Sequence, residues 1–267
     1  MKISIVTISF NQKEFLKECI ESIVNQPDFI ELIVVDPGSI DGSRELIDSY
    51  GDRIIKVYEK DEGPSDGLNK GFERATGEIF GFINSDDMLV ENASSIILKA
   101  FKNNDNIGAI CGVGYFIDEN GTVIGKAVGS KFSAGLYAIG AVTVFQQSTF
   151  FRKSSFDLTN GFNKKNKTCW DSELFFDMAR AGVKFKPIWG EIGLFRLHSQ
   201  SISGSNKFEL QNKKDTARIK SLYLNGSYGF FYKILSKFNF ILKIIFDPTY
   251  YLRKGTLRST SVRNIMK

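Results

Sequence analysis

The feature that most constrains this chain is an alternation, through its first half, of short Ile- and Val-rich runs with segments whose apolar residues recur at helical spacing. The runs at residues 2–7, 32–36, 54–58 and 78–83 are short and apolar, which predicts strands buried on both faces. Between the first two, residues 13–25 place Phe15, Leu16, Cys19, Ile20 and Ile23 on one helical face, and residues 41–50 and 65–75 predict shorter helices. Strand and helix in regular succession call for a largely parallel sheet covered by helices, a nucleotide-binding α/β layout.

The later sequence changes character. A helix is predicted at 93–103, then two strands, 107–116 and 122–126, joined as a hairpin through an Asn-Gly turn. Residues 129–144 are rich in Gly and Ala without a period and predict a loop. A strand at 147–151, a polar loop at 160–168 and a helix at 171–180, stopped by Gly182, follow. Strands around Phe185 and at 193–197 close the body. The polar run SQSISGSNK sets a boundary near Ser205, dividing a body, 1–205, from an extension, 206–267.

Composition narrows the class. With 267 residues, 42% hydrophobic and 24% charged, the chain suits one globular domain plus an appendage and excludes disordered and collagen-like classes. Cys19, Cys111 and Cys169 lie far apart without a CxxC pair, and His198 is the only histidine, which argues against a structural zinc or a disulfide framework. The opening MKISIVTISF has no small-residue cleavage site after it, and lysines interrupt the most apolar region, 229–246, so a spanning helix is not predicted and a cytoplasmic location is expected. Charge is unevenly placed: residues 201–267 hold 13 Lys and Arg against Glu209, Asp215 and Asp247, a net +10, while 22 basic and 27 acidic residues leave the body at −5.

Three acidic sites fall where strands of such a sheet end, the place where open α/β sheets bind ligands. After the second strand, Asp36-Pro37-Gly38-Ser39 forms a tight turn, with Asp41 as a cap for the next helix. A carboxylate such as Asp36 at the tip of a buried strand is costly unless it receives hydrogen bonds, which a nucleobase or ribose could supply. After the fourth strand comes Asn84-Ser85-Asp86-Asp87. Adjacent carboxylates repel and stay ionised more easily beside a divalent cation, so Mg²⁺ or Mn²⁺ is inferred; taken alone, the pair also reads as a solvated turn or a cap before Glu91. The third site, Trp170-Asp171-Ser172-Glu173, opens a helix, where Asp171 is either a cap or a general base.

Six segments occur in an order that resembles the family 2 glycosyltransferases of the GT-A fold: SIVTISFNQ, VVDPGSIDGS, GPSDGLNKGFERATGE, FINSDD, WDSEL and FRLHSQSIS. The resemblance covers about residues 1–204. It implies a mixed, Rossmann-like sheet that binds a nucleotide sugar, with Thr7 and Asp36 at the base and ribose, Asn11 among the donor-binding residues, and Asp66 and Asn69 lining the donor site. It further implies Asp87 as the metal-binding aspartate, Asp86 as its neighbour facing donor ribose or sugar, Asp171 as catalytic base, and His198 near metal or diphosphate. Pro37 and Ile40 replace common Gly and Thr in the first turn, and Trp170 stands where many members have Glu, which reduces the acidic pair to Asp171 with Glu173 two residues on; Trp170 and Glu173 are acceptor candidates, the indole either stacking on a sugar ring or buried in the core. Gln147 is either a further acceptor candidate through its amide or an interior polar residue satisfied by backbone.

The implied reaction is inverting, metal-dependent transfer of a hexose-type sugar, with UDP-sugar as default donor and a lipid-linked saccharide of surface polysaccharide or O-antigen synthesis as acceptor. A nucleotidyltransferase is the enzymatic rival, but SFNQKEF lacks its Gly-rich phosphate loop. The other alternative is a catalytically silent GT-A-like binding subunit of an assembly complex. In the extension, residues 229–246 place Phe230, Phe231, Ile234, Leu235, Phe238, Ile241, Leu242 and Ile245 on one side and lysines on the other. Such a helix suits the inner membrane surface, with Arg253, Lys254, Arg258, Arg263 and Lys267 adding attraction to anionic lipid; packing on the body or on a second copy, giving a homo-oligomer, is the competing expectation. The acidic body and the lack of an RNA-binding aromatic motif argue against a nucleic-acid partner.

Overall fold

The computed structural model describes residues 1–199, 208–222 and 234–255. The expected strands and helices of the first half form as β1 (Ile3–Ile8), α1 (Lys13–Val24), β2 (Ile30–Val35), α2 (Ser43–Ser49), β3 (Ile55–Val57), α3 (Pro64–Arg74) and β4 (Ile79–Phe82). β3, β2, β1 and β4 lie side by side and parallel, with Ile5 opposite Leu32 on one flank and Gly81 on the other. Alternation along these strands explains the layers. Ile5, Leu32 and Val34 face α1, α2 and the helix that follows β4, whereas Val6, Ile33 and Val35 face α3. A Cβ on Gly71 would sit 2.3 Å from Val6 Cγ1, so the glycine of the GLNKGF segment lets α3 lie close on β1.

The sheet becomes mixed beyond β4. β5 (Met88–Leu89), α4 (Ala93–Lys102), β6 (Ala109–Ile117), β7 (Val123–Val128), β8 (Thr149–Arg152) and β9 (Phe185–Arg196) give the order β3-β2-β1-β4-β8-β6-β9-β5, with β7 paired to β6. β8 runs antiparallel to both β4 and β6, and β9 runs parallel to β6. The two predicted strands around Phe185 and 193–197 are one 12-residue strand, bent by two register shifts against β6. The hairpin forms as expected, and Asp118 also contributes, its carboxylate accepting from the N–H groups of Asn120 and Thr122. The predicted loop at 129–144 contains a short helix, α5 (Ala134–Ala138), capped by Ser133 through the Leu136 N–H. Its Gly- and Ala-rich sequence hid the helix because one turn carries no period.

α6 (Lys153–Phe156) and α7 (Trp170–Arg180) complete the face covered by α3, where Phe72 packs on Phe80, Phe151, Phe156 and Phe162. The extension packs onto the body. α8 (Glu209–Ser221) inserts Ile219 into the core beside α7. α9 (Asn239–Phe246) and the preceding Leu235 set Leu235 and Leu242 against Leu136, Ile139 and Ala141. α10 (Tyr250–Lys254) buries Tyr250 on Val113 and Val128. The predicted long amphipathic helix is interrupted by a turn at Lys237 and Phe238, and its residues up to 233 lie outside the described ones. Among the described residues no helix is long and apolar enough to cross a membrane.

Candidate active site

The loops at the carboxyl ends of β1, β2, β3 and β4 meet the far ends of β6 and β9 around a cleft of about 870 Å³. The first loops contribute Ser9, Gln12, Pro37, Lys60, Asp61, Asn84 and Asp86. The opposite wall is largely apolar, with Val144, Phe145, Phe116 and Phe195, and the start of α7 adds Trp170 and Asp171. The ring of Phe116 packs against Phe145 and Phe195, each 5.7 Å away centroid to centroid. Such a wall lowers the local dielectric and strengthens every charge effect in the cleft.

Of the two adjacent carboxylates, it is Asp86 that lines the cleft, and its Oδ2 lies 3.0 Å from His198 Nε2. Phe15 supports the imidazole at 5.0 Å. Asp87 is fully buried beneath: its Oδ2 accepts from Gln147 Nε2 at 2.8 Å and Asn84 Nδ2 at 3.1 Å, and its Oδ1 accepts from the Arg196 N–H at 3.0 Å. Burial, and then the neighbouring Asp86 charge, push the Asp87 carboxyl well above the usual carboxylate range, while these three donors pull the other way. The structure thus places Asp87, the residue expected to hold the metal, beneath the cleft floor with three N–H donors on its carboxylate, and Asp86 at the cleft itself.

Asp86 and His198 are the pair that fits a divalent ion. No group of three or more His, Cys, Asp and Glu gathers among the described residues. One carboxylate and one imidazole suit a Mn²⁺ or Mg²⁺ that takes its other ligands from water and substrate phosphates.

Arg196 organises this corner and was missed as a functional residue. Its side chain is buried, donating through Nε to the Asp86 carbonyl (3.0 Å), through Nη1 to the Glu119 carbonyl (2.9 Å) and through Nη2 to Glu18 (2.5 Å), with its guanidinium 4.6 Å from the Phe15 ring centroid. It ties α1, the acidic loop, the β6–β7 turn and β9 together. An arginine two residues before the histidine in FRLH was the available signal.

Asp171 sits half-buried in the first turn of α7, facing the cleft. Burial raises its carboxyl above the usual range, and hydrogen bonds from Ser172 only partly offset that. Asp86 and Asp171 thus line one cleft. Trp170 lines it as well, largely buried.

Other predicted residues are placed elsewhere. Thr7 is buried with its hydroxyl 3.9 Å from Cys19 Sγ, on the face of β1 turned to α1; Ile8 and Ser9 reach the cleft instead. Asn11, in left-handed backbone, accepts from Ile40 N–H while its own N–H donates to Ser39 Oγ, so it staples two loops. Asp66 accepts from Glu62 N–H and Lys164 Nζ at the start of α3, and Asn69 exchanges two hydrogen bonds with the Phe162 backbone. Glu173 is buried and held by Arg218, Asn163 and Asn166; burial would raise its carboxyl, but these partners bring it below the usual range. None of these five lines the cleft. Their proximity to strand and helix ends gave the right neighbourhood, but side-chain direction turned them to structural work.

Asp36 lies under the cleft wall. Its Oδ1 accepts from Gly38 N–H, Ser39 N–H and Arg44 Nε, while its Oδ2 is buried without a partner. Gln147 lines the cleft but commits its amide N–H to Asp87; Lys60 and Asp61, not singled out in the sequence, line it too.

Residues 4–157 match the family model described as "Glycosyl transferase family 2". The chain belongs to glycosyl transferase family 2. Its fold is that family's GT-A fold. The minor teichoic acid biosynthesis protein GgaA of Bacillus subtilis is 27% identical over 193 residues, 65% of this chain and 42% of GgaA. The chain spans less than half the length of the curated relatives it matches. A structure of S. aureus TarS in complex with UDP-GlcNAc superposes with a TM-score of 0.65 at 16% identity, covering 93% of this chain and 74% of the other. The mannosyltransferase PcManGT of Pyrobaculum calidifontis, in complex with GDP-Man and Mn²⁺, gives 0.64 at 14% identity, covering 96% and 76%.

For this family 2 member, the motif order seen in the sequence thus corresponds to one cleft. FINSDD and FRLH meet through Asp86, His198 and Arg196, and WDSEL faces them through Asp171.

Proposed function

We propose that the chain is an inverting, metal-dependent glycosyltransferase that moves a hexose-type sugar from a nucleotide donor, by default UDP-linked, to a hydroxyl of a lipid-linked saccharide in surface polysaccharide synthesis. The observation that carries this reading is that Asp86, bonded from behind by His198, and Asp171 line one cleft. The unmatched Asp36 Oδ2 beside the cleft supports nucleotide binding there, since a base N–H or ribose O–H would satisfy it. GgaA, a minor teichoic acid biosynthesis protein, supports a cell-surface product, and the UDP-GlcNAc and GDP-Man complexes of TarS and PcManGT support a nucleotide-sugar donor.

Asp86 and His198 would hold the cation, and a bound Mn²⁺ or Mg²⁺ would stabilise negative charge on the departing diphosphate. Asp171 takes the proton of the attacking acceptor hydroxyl at its carboxylate, on the side away from the leaving group, so the anomeric configuration inverts. Its raised pKa suits a base, because a more basic carboxylate removes a hydroxyl proton more readily. Phe116, Phe145 and Phe195 exclude water from that wall, which favours the sugar hydroxyl over hydrolysis.

The test is a hydrolysis screen across UDP-, GDP- and dTDP-sugars with Mn²⁺, read beside Asp86→Ala. That variant is expected to lose about 100-fold or more of the Mn²⁺-dependent rate, on the order of 3 kcal/mol of transition-state stabilisation. A rate within twofold of the parent at every Mn²⁺ concentration would remove Asp86 from the cation site. Absence of turnover with every donor, alongside undiminished nucleotide binding, would favour the silent binding subunit.

The extension supports work at the inner membrane surface. Phe238, Phe240, Ile241, Ile245 and Leu252 are each more than half exposed, beside Lys237 and Lys254. An apolar patch with a basic rim matches a layer of anionic lipid. Phe238→Ser/Ile241→Ser/Ile245→Ser is expected to cut flotation with phosphatidylglycerol vesicles at least fivefold while leaving sugar-nucleotide hydrolysis unchanged. Equal flotation rejects the membrane contact, and loss of a dimer in the same variant assigns the patch to a second copy.

A further inference from the structure

α8 and α7 both lie outside the part of the chain that matches the family model, and they are joined at the start of α7 by a partly buried polar network. Arg218 on α8 donates through Nη1 and Nη2 to the two carboxylate oxygens of Glu173, both at 2.6 Å. The same oxygens accept from Asn163 Nδ2 at 2.9 Å and Asn166 Nδ2 at 2.7 Å. Asn166, itself buried, turns its Oδ1 to the N–H groups of Thr168 (3.1 Å) and Cys169 (3.0 Å), the residues that lead into α7. Asp215, one turn earlier on α8, accepts from the Thr168 hydroxyl at 2.9 Å.

Asn166 holds the N–H groups of the two residues just before α7 and so fixes the chain's entry into the helix. Asn166 is in turn oriented by Glu173, and Glu173 by the guanidinium fork of Arg218. Thr168, Trp170 and Asp171, which this junction carries, all line the cleft. A bidentate fork restrains both translation and rotation of its carboxylate, which a point charge does not.

We infer that Arg218 is a positioning residue for the catalytic base: through Glu173 and Asn166 it fixes the entry of α7 and hence the placement of Asp171, making α8 part of the transfer machinery. The inference rests on the reading of Asp171 as base. Small displacements of a reacting group are costly to turnover without changing binding at a distant subsite. The effect should therefore fall on kcat and spare the nucleotide.

The full chain is compared with Arg218→Met, which keeps the apolar stem, and Arg218→Lys, which keeps charge without the fork. The substrate is the nucleotide sugar that the parent hydrolyses fastest. Arg218→Met is expected to lower kcat at least tenfold with the UDP Kd within twofold, and Arg218→Lys to recover only part. Trp170, in a Trp189→Phe background, reports the junction directly: its acrylamide quenching constant is expected to rise at least twofold in Arg218→Met. Unchanged quenching, or kcat within twofold of the parent, overturns the inference. So does a loss of kcat that comes only with an equal loss of UDP affinity. Asp171→Asn, run in parallel, separates the two readings: if it keeps the parent's kcat, the base assignment fails, whereas if it is inactive and Arg218→Met is not, only the positioning role fails.

Discussion

Asp171→Asn is expected to lower turnover by roughly 10² to 10⁴, the range for losing a positioned general base, while leaving the fold at least as stable as the parent. The two effects have one origin. Burial raises the folded-state pKa of this carboxyl above its unfolded value, so the folded protein binds the proton more tightly than the unfolded chain. This group's contribution to stability is thus most favourable below the unfolded pKa. It is lost as pH rises through the window up to the folded pKa, and at neutral pH it is a net cost that Asn removes. The catalytic consequence has the opposite sign, because only the carboxylate accepts a proton, so the parent's activity rises with pH through the same window. The checks are kcat against pH and thermal melts at pH 7. An Asn variant with the parent's rate and acid limb rules out Asp171 as base, and a marked fall in Tm rules out the burial argument.

Asp247→Ala is expected to destabilise the protein by about 3–5 kcal/mol, because it strips the partner from a buried charge. Asp247 and Arg253 form a 2.5 Å ion pair with both side chains buried. Arg253 also donates to the Gly129 carbonyl at 2.6 Å, and Asp247 accepts from the Lys131 N–H at 2.9 Å, so the pair clasps α9 and α10 to the chain that follows β7. In a protein of this size the loss corresponds to a fall in Tm of roughly 6–20 °C by scanning calorimetry. Asp247→Ala/Arg253→Leu should recover most of it, since removing both charges leaves no buried ion unpaired. A single-variant loss below about 1 kcal/mol would mean that water reaches Arg253 and that the clasp contributes little.

This clasp bears on function because of where the held segment leads. Thr143 bonds both Tyr250 on α10, 3.1 Å apart, and Lys243 on α9, 2.7 Å apart. The residues just after it, Val144 to Gln147, line the cleft, and Gln147 holds Asp87. The basic extension, separated in the sequence by a polar run, therefore supports two walls of the site: α8 through Glu173 and Asp215, and α9 with α10 through Thr143 and Gly129.

The regular half of the fold was legible because its signals are local. Alternating contacts of Ile5 and Val6, or of Ile33 and Val34, with opposite helix layers follow from a period of two along a buried strand. Less legible were α5, too short to carry a period, and the union of two predicted strands into β9, where bulges against β6 broke the pattern. Within the site, Asp86, Asp171, His198 and Trp170 reach or adjoin the cleft, whereas Thr7, Asn11, Asp66, Asn69 and Glu173 turn to structural partners. Motif order marks which loops converge, but one residue of register decides whether a side chain reaches the ligand or the core.

The sequence by itself determined the layered sheet and the loops that bear the acidic residues, because strand burial, helix periodicity and turn chemistry act over a few neighbouring positions. Only the tertiary structure decided which of the two adjacent aspartates serves the cleft. Asp86 and Asp87 are chemically identical, and the choice is made by groups distant in sequence: Gln147, 60 residues away, and Arg196, 109 residues away, bury Asp87 in hydrogen bonds and leave Asp86 beside His198.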